Sequence, residues 1–161
     1  MLPQLYNNDM FNIMGNIEPQ SIDLLLTDFP YGTLNKRNEW DVIIDYEKFW
    51  NHVDIICKPN AAIISTAQQP FTTKLISTNY SMFRYCWVWE KSKASGYLNS
   101  KKMPLKAHED IVVFYKKLCT YNPQKTKGDP YDKGTAVRDT ESYGKQTKAI
   151  HVKNKDGTMM K

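Results

Sequence analysis

Residues 28–31 bring together a carboxylate, a proline and two aromatic rings in the order Asp-Phe-Pro-Tyr. Pro30 fixes its own φ angle and lacks a backbone donor, so the turn is expected to be stiff. The Asp28 carboxylate and the Phe29 carbonyl can both accept hydrogen bonds from one amino group, and the Tyr31 ring can lie flat on whatever carries that group. Two acceptors beside a stacking plane predict a pocket for the exocyclic amino group of a nucleobase. Taken singly, Asp28 is equally well explained as a residue that fixes a turn.

The elements around this stretch alternate between strands and helices. Short apolar runs predict strands and amphipathic spacings predict helices: strands at 21–28, 61–67, 83–91 and 109–117, and helices at 45–57 and 68–79. Such a βαβ pattern predicts an α/β fold with a parallel sheet, whose first strand is buried on both faces. Trp87 and Trp89 are predicted to be packing residues of the third strand. Ligands of such sheets bind beyond the carboxyl ends of the strands, where residues 28–31 lie.

Basic and acidic residues are distributed differently in the first and second parts of the chain. Residues 1–90 carry 6 Lys or Arg against 10 Asp or Glu, whereas residues 91–161 carry 16 against 7. The basic half also contains interspersed tyrosines at 97, 115, 121, 131 and 143. Cations for phosphates and flat rings for bases favour a nucleic-acid surface, with a solvated lysine-rich face as the alternative.

Other patterns limit the class of protein. The apolar runs are too short for a transmembrane helix, and the N-terminus does not resemble a secretory signal. Three scattered cysteines without a CxxC spacing favour reduced thiols in a cytoplasmic protein, and three scattered histidines predict no metal site. Periodicity fades after residue 117, which predicts an α/β part at 1–117 and a basic, loop-rich segment at 118–161.

The tetrapeptide "DFPY" resembles the [D/N/S]-P-P-[Y/F/W] motif of methyltransferases that act on amino groups in DNA. The chain is also similar, from residue 5 to about 150, to consecutive blocks of phage-type adenine-specific enzymes of the β group: "SIDLLLTDFPYGT", "NEWDVIIDYEKFW", "QQPFTTKLI", "FRYCWVWEKSKASGYLNSKKMPLKAHEDIVVFYKK" and "TYNPQ". In that group, within the N6-adenine/N4-cytosine superfamily, the catalytic motif comes first, the target-recognition segment second and the cofactor motif last. The resemblance implies part of a Rossmann-like sheet that uses S-adenosylmethionine (SAM), with a basic loop-rich insertion, in a phage or restriction-modification setting.

The same resemblance assigns roles to individual residues. A target adenine leaves double-stranded DNA and enters the pocket. The resemblance assigns Asp28, Phe29, Pro30 and Tyr31 to catalysis, Asp28 and Asp9 to the cofactor, and His108 and Glu109 to the pocket wall. Independently of the resemblance, the charge of the basic half makes Lys101, Lys102, Lys106, Lys125 and Lys127 the candidates for phosphate contacts with DNA. None of these roles requires a metal.

Three departures from the family pattern carry implications. Phe29 replaces the motif's first proline, and "STAQQPF" stands where the family resembles "FGxEPF". The FxGxG cofactor loop is expected after residue 150, yet no two of the seven glycines have GxG spacing. The chain is therefore expected to be the catalytic and recognition part, with an incomplete SAM site, an exposed apolar sheet edge, and a homodimer or a complementing C-terminal half as possible partners. The alternatives are a cytosine-amino methyltransferase and an inactive DNA-binding remnant.

Overall fold

The computed structural model describes residues 3–33 and 38–128. In chain order the elements are α1 (Met10–Met14), β1 (Ile22–Asp28), α2 (Tyr46–Ile56), β2 (Cys57–Ala67), α3 (Phe71–Thr78), β3 (Phe83–Ser95), a single 3₁₀ turn (Tyr97–Asn99) and β4 (Lys106–Phe114). Each helix and strand predicted from periodicity is present, with boundaries moved by a few residues. The largest differences are in β2, which begins directly after α2, and β3, which continues to Ser95.

The four strands form one sheet in the order β1-β2-β4-β3. β1 and β2 are parallel, whereas β4 is antiparallel to both β2 and β3. β1, β2 and β3 therefore run in the same direction, as predicted, and the expectation of a wholly parallel sheet is wrong for β4. The reason is its connection: β4 follows β3 through a hairpin, and strands joined by a hairpin pair antiparallel.

Local signals account for the helix that follows β1. The side chain of Asp45 accepts a hydrogen bond from the Lys48 amide and caps α2. Its apolar side is buried, through Phe49, Trp50, Val53 and Ile56. Lys-Pro-Asn at 58–60 ends the helical pattern as predicted, but these residues already belong to β2.

The core lies between the helices and one face of the sheet. Its fully buried side chains include Phe49, Val53, Ile56, Leu75, Val112 and Phe114. Burying a large apolar side chain contributes about 1.5–3 kcal/mol relative to leaving it exposed. This helix-covered face therefore holds the strands in register.

The opposite face of the sheet, the open face, carries Leu24, Leu26, Trp87 and Trp89. Leu26 is 70% exposed and Trp89 is 52% exposed. The predictions that β1 is buried on both faces and that both tryptophans are packing residues are therefore wrong. A run of leucines indicates a strand but cannot show how many of its faces are covered. The exposed leucines lie on a face of β1, which is an edge strand of the described sheet.

The chain divides into two compact units, Met1–Tyr121 and Asn122–Lys161. The first contains every element named above. In the second, residues 122–128 are described, and they are exposed and belong to no helix or strand. The rest of the predicted loop-rich segment, residues 129–161, lies outside the described residues. Among the helices that are described, none has the length and apolar character needed to cross a membrane.

Candidate active site at the carboxyl edge of the sheet

Asp28 is the last residue of β1, and its side chain is exposed at the carboxyl edge of the sheet. Thr66 is its direct neighbour on β2 and donates a hydrogen bond from Oγ1 to Asp28 Oδ1. The Tyr31 hydroxyl donates to the same oxygen over 3.3 Å. Within the described residues both hydrogen bonds to this carboxylate end on Oδ1. They fix the orientation of the group and leave Oδ2 as an acceptor for another donor.

Tyr31 is held by an aromatic contact as well as by Asp28. Its ring stacks on Phe71 of α3, with 4.6 Å between centroids and 23° between planes. Burial raises the pKa of the Tyr31 phenol, and the carboxylates of Asp28 and Glu109 raise it further, against an opposing hydrogen bond with Thr66. The phenol is therefore protonated at neutral pH and can donate to Asp28.

Phe29 points into the core, although its neighbours on either side reach the surface. Its ring packs edge-on against Phe49 of α2 with 4.9 Å between centroids, and against Tyr46 at 6.1 Å. The bulky ring that replaces the motif's first proline is thus accommodated in the core. The ring anchors the turn to α2, so the turn is held in place by packing although it has one proline where the motif has two.

Gly32 ends the turn in the left-handed region, with φ at +69°. A Cβ at this position would lie 2.8 Å from Cγ1 of Ile43, so the site admits only glycine without rearrangement. The Gly32 amide donates to Oδ1 of Asp41 over 2.9 Å, and Asp41 is buried. Asp41 therefore fixes the far end of the turn. The sequence reasoning missed it because nothing local shows that this carboxylate is buried.

His108 and Glu109, the two pocket residues predicted from the resemblance, lie on opposite faces of β4. Glu109 lies two positions from Ile111, which pairs with Thr66, so Glu109 shares the open face with Asp28. Its carboxylate pairs with Lys91 Nζ at 2.5 Å, and its charge reaches Tyr31. His108 lies on the other face and is exposed.

Thr66 is the second residue that the sequence reasoning missed. Its position next to Asp28 depends on the register between β1 and β2, which no local pattern reveals. A hydroxyl residue near the end of a strand beside β1 is the only signal that the sequence offers.

The remaining predicted site residues lie elsewhere on the chain. Asp9 is exposed and caps α1, accepting from the Phe11 amide over 2.9 Å. Lys101 and Lys102 are exposed in the connection between β3 and β4, whereas Lys106 is half-buried and donates to Gln68 over 2.6 Å. Lys125 and Lys127 are exposed in the second unit.

Comparison with solved structures identifies the fold. The chain superposes on M1.HpyAVI in complex with SAM with a TM-score of 0.53 and 18% identity, over 80% of this chain and 63% of that one. It superposes on the cytosine-N4-specific PvuII DNA methyltransferase with a TM-score of 0.50 and 14% identity, over 71% of this chain and 49% of that one. A third similar structure, TTHA0409 from Thermus thermophilus, gives a TM-score of 0.50 at 14% identity, over 73% of this chain and 54% of that one.

The chain therefore has the mixed α/β fold of SAM-dependent methyltransferases. This confirms the fold class expected from the sequence. No family model matches the sequence. No curated protein matches it either. The chain spans between about half and two thirds of the length of the structures that it resembles.

Proposed function

We propose that this chain forms the catalytic and DNA-recognition part of a DNA methyltransferase that transfers a methyl group from SAM to the exocyclic amino group of adenine. One observation carries the proposal: an exposed carboxylate, Asp28, is held through one oxygen by Thr66 and Tyr31 at the carboxyl edge of a methyltransferase sheet. That edge is where open α/β sheets bind ligands. Similarity to a DNA methyltransferase structure supports the choice of substrate.

The chain's own residues act on the amino group. Oδ2 of Asp28 and the Phe29 carbonyl accept its two hydrogens, which leaves the nitrogen lone pair directed out of the plane of these two hydrogen bonds and able to accept the methyl group. The carboxylate also stabilises positive charge that develops on the nitrogen during transfer. The Tyr31 ring stacks on the base with the face that Phe71 does not cover. SAM, when bound, supplies the electrophilic methyl group.

The described residues fit only the methyl-facing wall of a SAM site. Close approach of backbone to an adenosine or methionine moiety requires glycine. Three glycines lie in the first compact unit, within residues 3–33 and 38–121: the space where a Cβ of Gly32 would lie is filled by Ile43, Gly15 ends α1, and Gly96 lies in the β3–β4 connection. Asp9, proposed for the cofactor from the resemblance, acts in the structure as a helix cap.

Weak cofactor binding is the expected result for this polypeptide. Calorimetric titration of SAM into the 161-residue chain should give a dissociation constant above roughly 100 µM, or less than about 5.5 kcal/mol of binding free energy. Titration of duplex DNA into the same preparation shows that the protein is folded and competent. Micromolar binding of SAM would contradict the incomplete-site proposal.

Product analysis tests the function and separates its alternatives. The chain is incubated with duplex DNA and millimolar methyl-labelled SAM, and the DNA is digested to nucleosides. Labelled N6-methyl-2′-deoxyadenosine supports the proposal. Labelled N4-methyl-2′-deoxycytidine would support the cytosine enzyme, which the PvuII similarity favours, since cytosine also carries an exocyclic amine. DNA binding without any labelled nucleoside is the result expected both of the inactive DNA-binding remnant and of a chain whose SAM site is incomplete.

Substitutions of Tyr31 are expected to separate its ring from its hydroxyl. Tyr31→Phe keeps the stack on Phe71 and loses one of two hydrogen bonds to Asp28, so transfer should fall about 3- to 10-fold. Tyr31→Ala loses stacking too and should fall by a further factor of about 10. Single-turnover rates at saturating DNA measure both. Equal losses in the two variants would assign the role to the hydroxyl and remove stacking from the mechanism.

A further inference from the structure

The β3–β4 hairpin extends beyond the edge that carries Asp28. Trp87 of β3 lies in the same row of the sheet as Asp28, through Thr66 and Ile111. Regular pairing continues to Glu90 opposite His108 and, after an irregularity in β3, resumes at Ser95 opposite Lys106. Lys106 is five residues from Ile111, so at about 3.3 Å per residue the paired part of the arm reaches up to about 17 Å past the site. Since β3 runs in the same direction as β1, the arm projects on the side from which a substrate would approach Asp28.

A compact turn closes the arm. Gly96 adopts φ of +89°, and the 3₁₀ turn that follows is bonded from the Asn99 amide to the Gly96 carbonyl over 2.9 Å. The Lys102 amide bonds back to the Asn99 carbonyl over 2.8 Å. These bonds present the two residues at the tip in a defined geometry. Those residues are Tyr97, 77% exposed, and Leu98, 92% exposed.

The charge around the tip indicates which partner these side chains meet. The arm has acidic residues only at its base, where Glu109 pairs with Lys91, whereas residues 91–106 at its outer end contain five lysines and no acidic residue. An apolar pair surrounded by cations fits a polyanion that offers an apolar interior, and a DNA duplex offers phosphates outside and stacked bases inside. Among the described residues, neither side chain belongs to the core, because both are mostly exposed to solvent.

We propose that Tyr97 and Leu98 form a wedge that inserts between base pairs of the DNA substrate and fills the space of the base rotated toward Asp28. The inference rests on the proposed function. Proteins that kink DNA insert apolar side chains at a base step, and an enzyme that extrudes a base must compensate for its lost stacking. The arm supplies the wedge from one side of the duplex while the carboxyl edge of the sheet receives the base.

The experiment compares binding to an intact duplex and to the same duplex with one abasic site, by fluorescence anisotropy over a range of salt concentrations. A wedge enters the abasic site without displacing a base, so the wild-type chain should prefer it by about 10-fold. Tyr97→Ala/Leu98→Ala should bind both duplexes equally, with an unchanged slope of log affinity against log salt, because phosphate contacts remain.

The matched control is Leu5→Ala/Tyr6→Ala. It removes the same two residue types from another exposed position, since Leu5 is 95% and Tyr6 65% exposed. This variant should keep the preference for the abasic duplex. Both double variants should melt at the temperature of the wild type, because none of the four side chains is buried.

The possible outcomes separate the wedge from the proposed function. Equal wild-type affinity for the two duplexes, with normal salt dependence, would overturn the wedge and leave DNA recognition intact. Absence of wild-type DNA binding at low salt would overturn both. If the wild-type chain bound phosphatidylserine vesicles more tightly than DNA, and lost this in Tyr97→Ala/Leu98→Ala, the tip would be a membrane contact and the wedge would be wrong.

Discussion

Replacing Asp28 with alanine is expected to reduce methyl transfer at least about 100-fold in any preparation in which this chain gives turnover. The substitution removes the acceptor at Oδ2 and leaves the Phe29 carbonyl to orient the amino group alone. It also removes the negative charge beside the reacting nitrogen. Because the side chain is exposed, the fold should be retained, and unchanged thermal unfolding would show this. Labelled methyl groups transferred to DNA in single turnovers give the rate.

Thr66→Val is the graded control for this prediction. It keeps the shape and strand preference of threonine but removes the donor to Oδ1. The carboxylate then loses one of its two restraints while Oδ2 stays available, so a loss of about 10-fold is expected. Thr66→Ser should restore most of the rate. If Asp28→Ala retained near-full activity, Asp28 would have no catalytic role, and Thr66 would be an ordinary cross-strand pair.

Neutralising Lys101 and Lys102 is expected to reduce the salt dependence of DNA binding. Each phosphate contact adds about 0.9 to the slope of log affinity against log salt, so Lys101→Gln/Lys102→Gln should lower the slope by about 1.8. Adding Lys106→Gln should lower it by less than a full contact, because Lys106 is half-buried and already donates to Gln68. Anisotropy titrations between roughly 50 and 200 mM salt measure these slopes.

The matched control removes two lysines whose charges are already paired. Lys58 bonds Asp23 at 2.7 Å, and Lys116 bonds Asp54 at 2.7 Å. Lys58→Gln/Lys116→Gln changes the net charge by the same amount but should leave the slope nearly unchanged. If Lys101→Gln/Lys102→Gln kept the wild-type slope, as the control is expected to, these two lysines would make no phosphate contacts and would belong to a solvated surface.

Local patterns in the sequence were sufficient to predict the elements that position the site. The alternation of apolar runs predicted β1, α2, β2 and α3, and it placed Asp28 at a carboxyl end because residue 28 follows the leucine run directly. The stiff turn and its two acceptors follow from residue types alone. None of this requires knowledge of which strands pair.

The features that could not be predicted from the sequence depend on strand pairing and on side-chain burial. The antiparallel placement of β4 and the contact of Thr66 with Asp28 are set by the order and register of strands distant in the chain. Burial of Phe29 and Asp41, and exposure of Trp87, depend on which face of each element the helices cover. Residue type alone does not predict burial here. An aromatic side chain suggested packing at Trp87, which is exposed, whereas Phe29, in a turn between two surface residues, is buried.

The position of β4 also determines the order in which this sheet can assemble. During synthesis the β1–α2–β2 unit emerges first and its two strands can pair with each other, whereas β3 has no neighbour until β4 has left the ribosome. Hairpins form within microseconds, so β3 and β4 pair with each other before they find β2. The sheet is then completed when β2 pairs with β4, residues 63–67 with residues 110–114. This pairing is the slow, nonlocal step, and until it occurs the free edge of β2 is open to other chains.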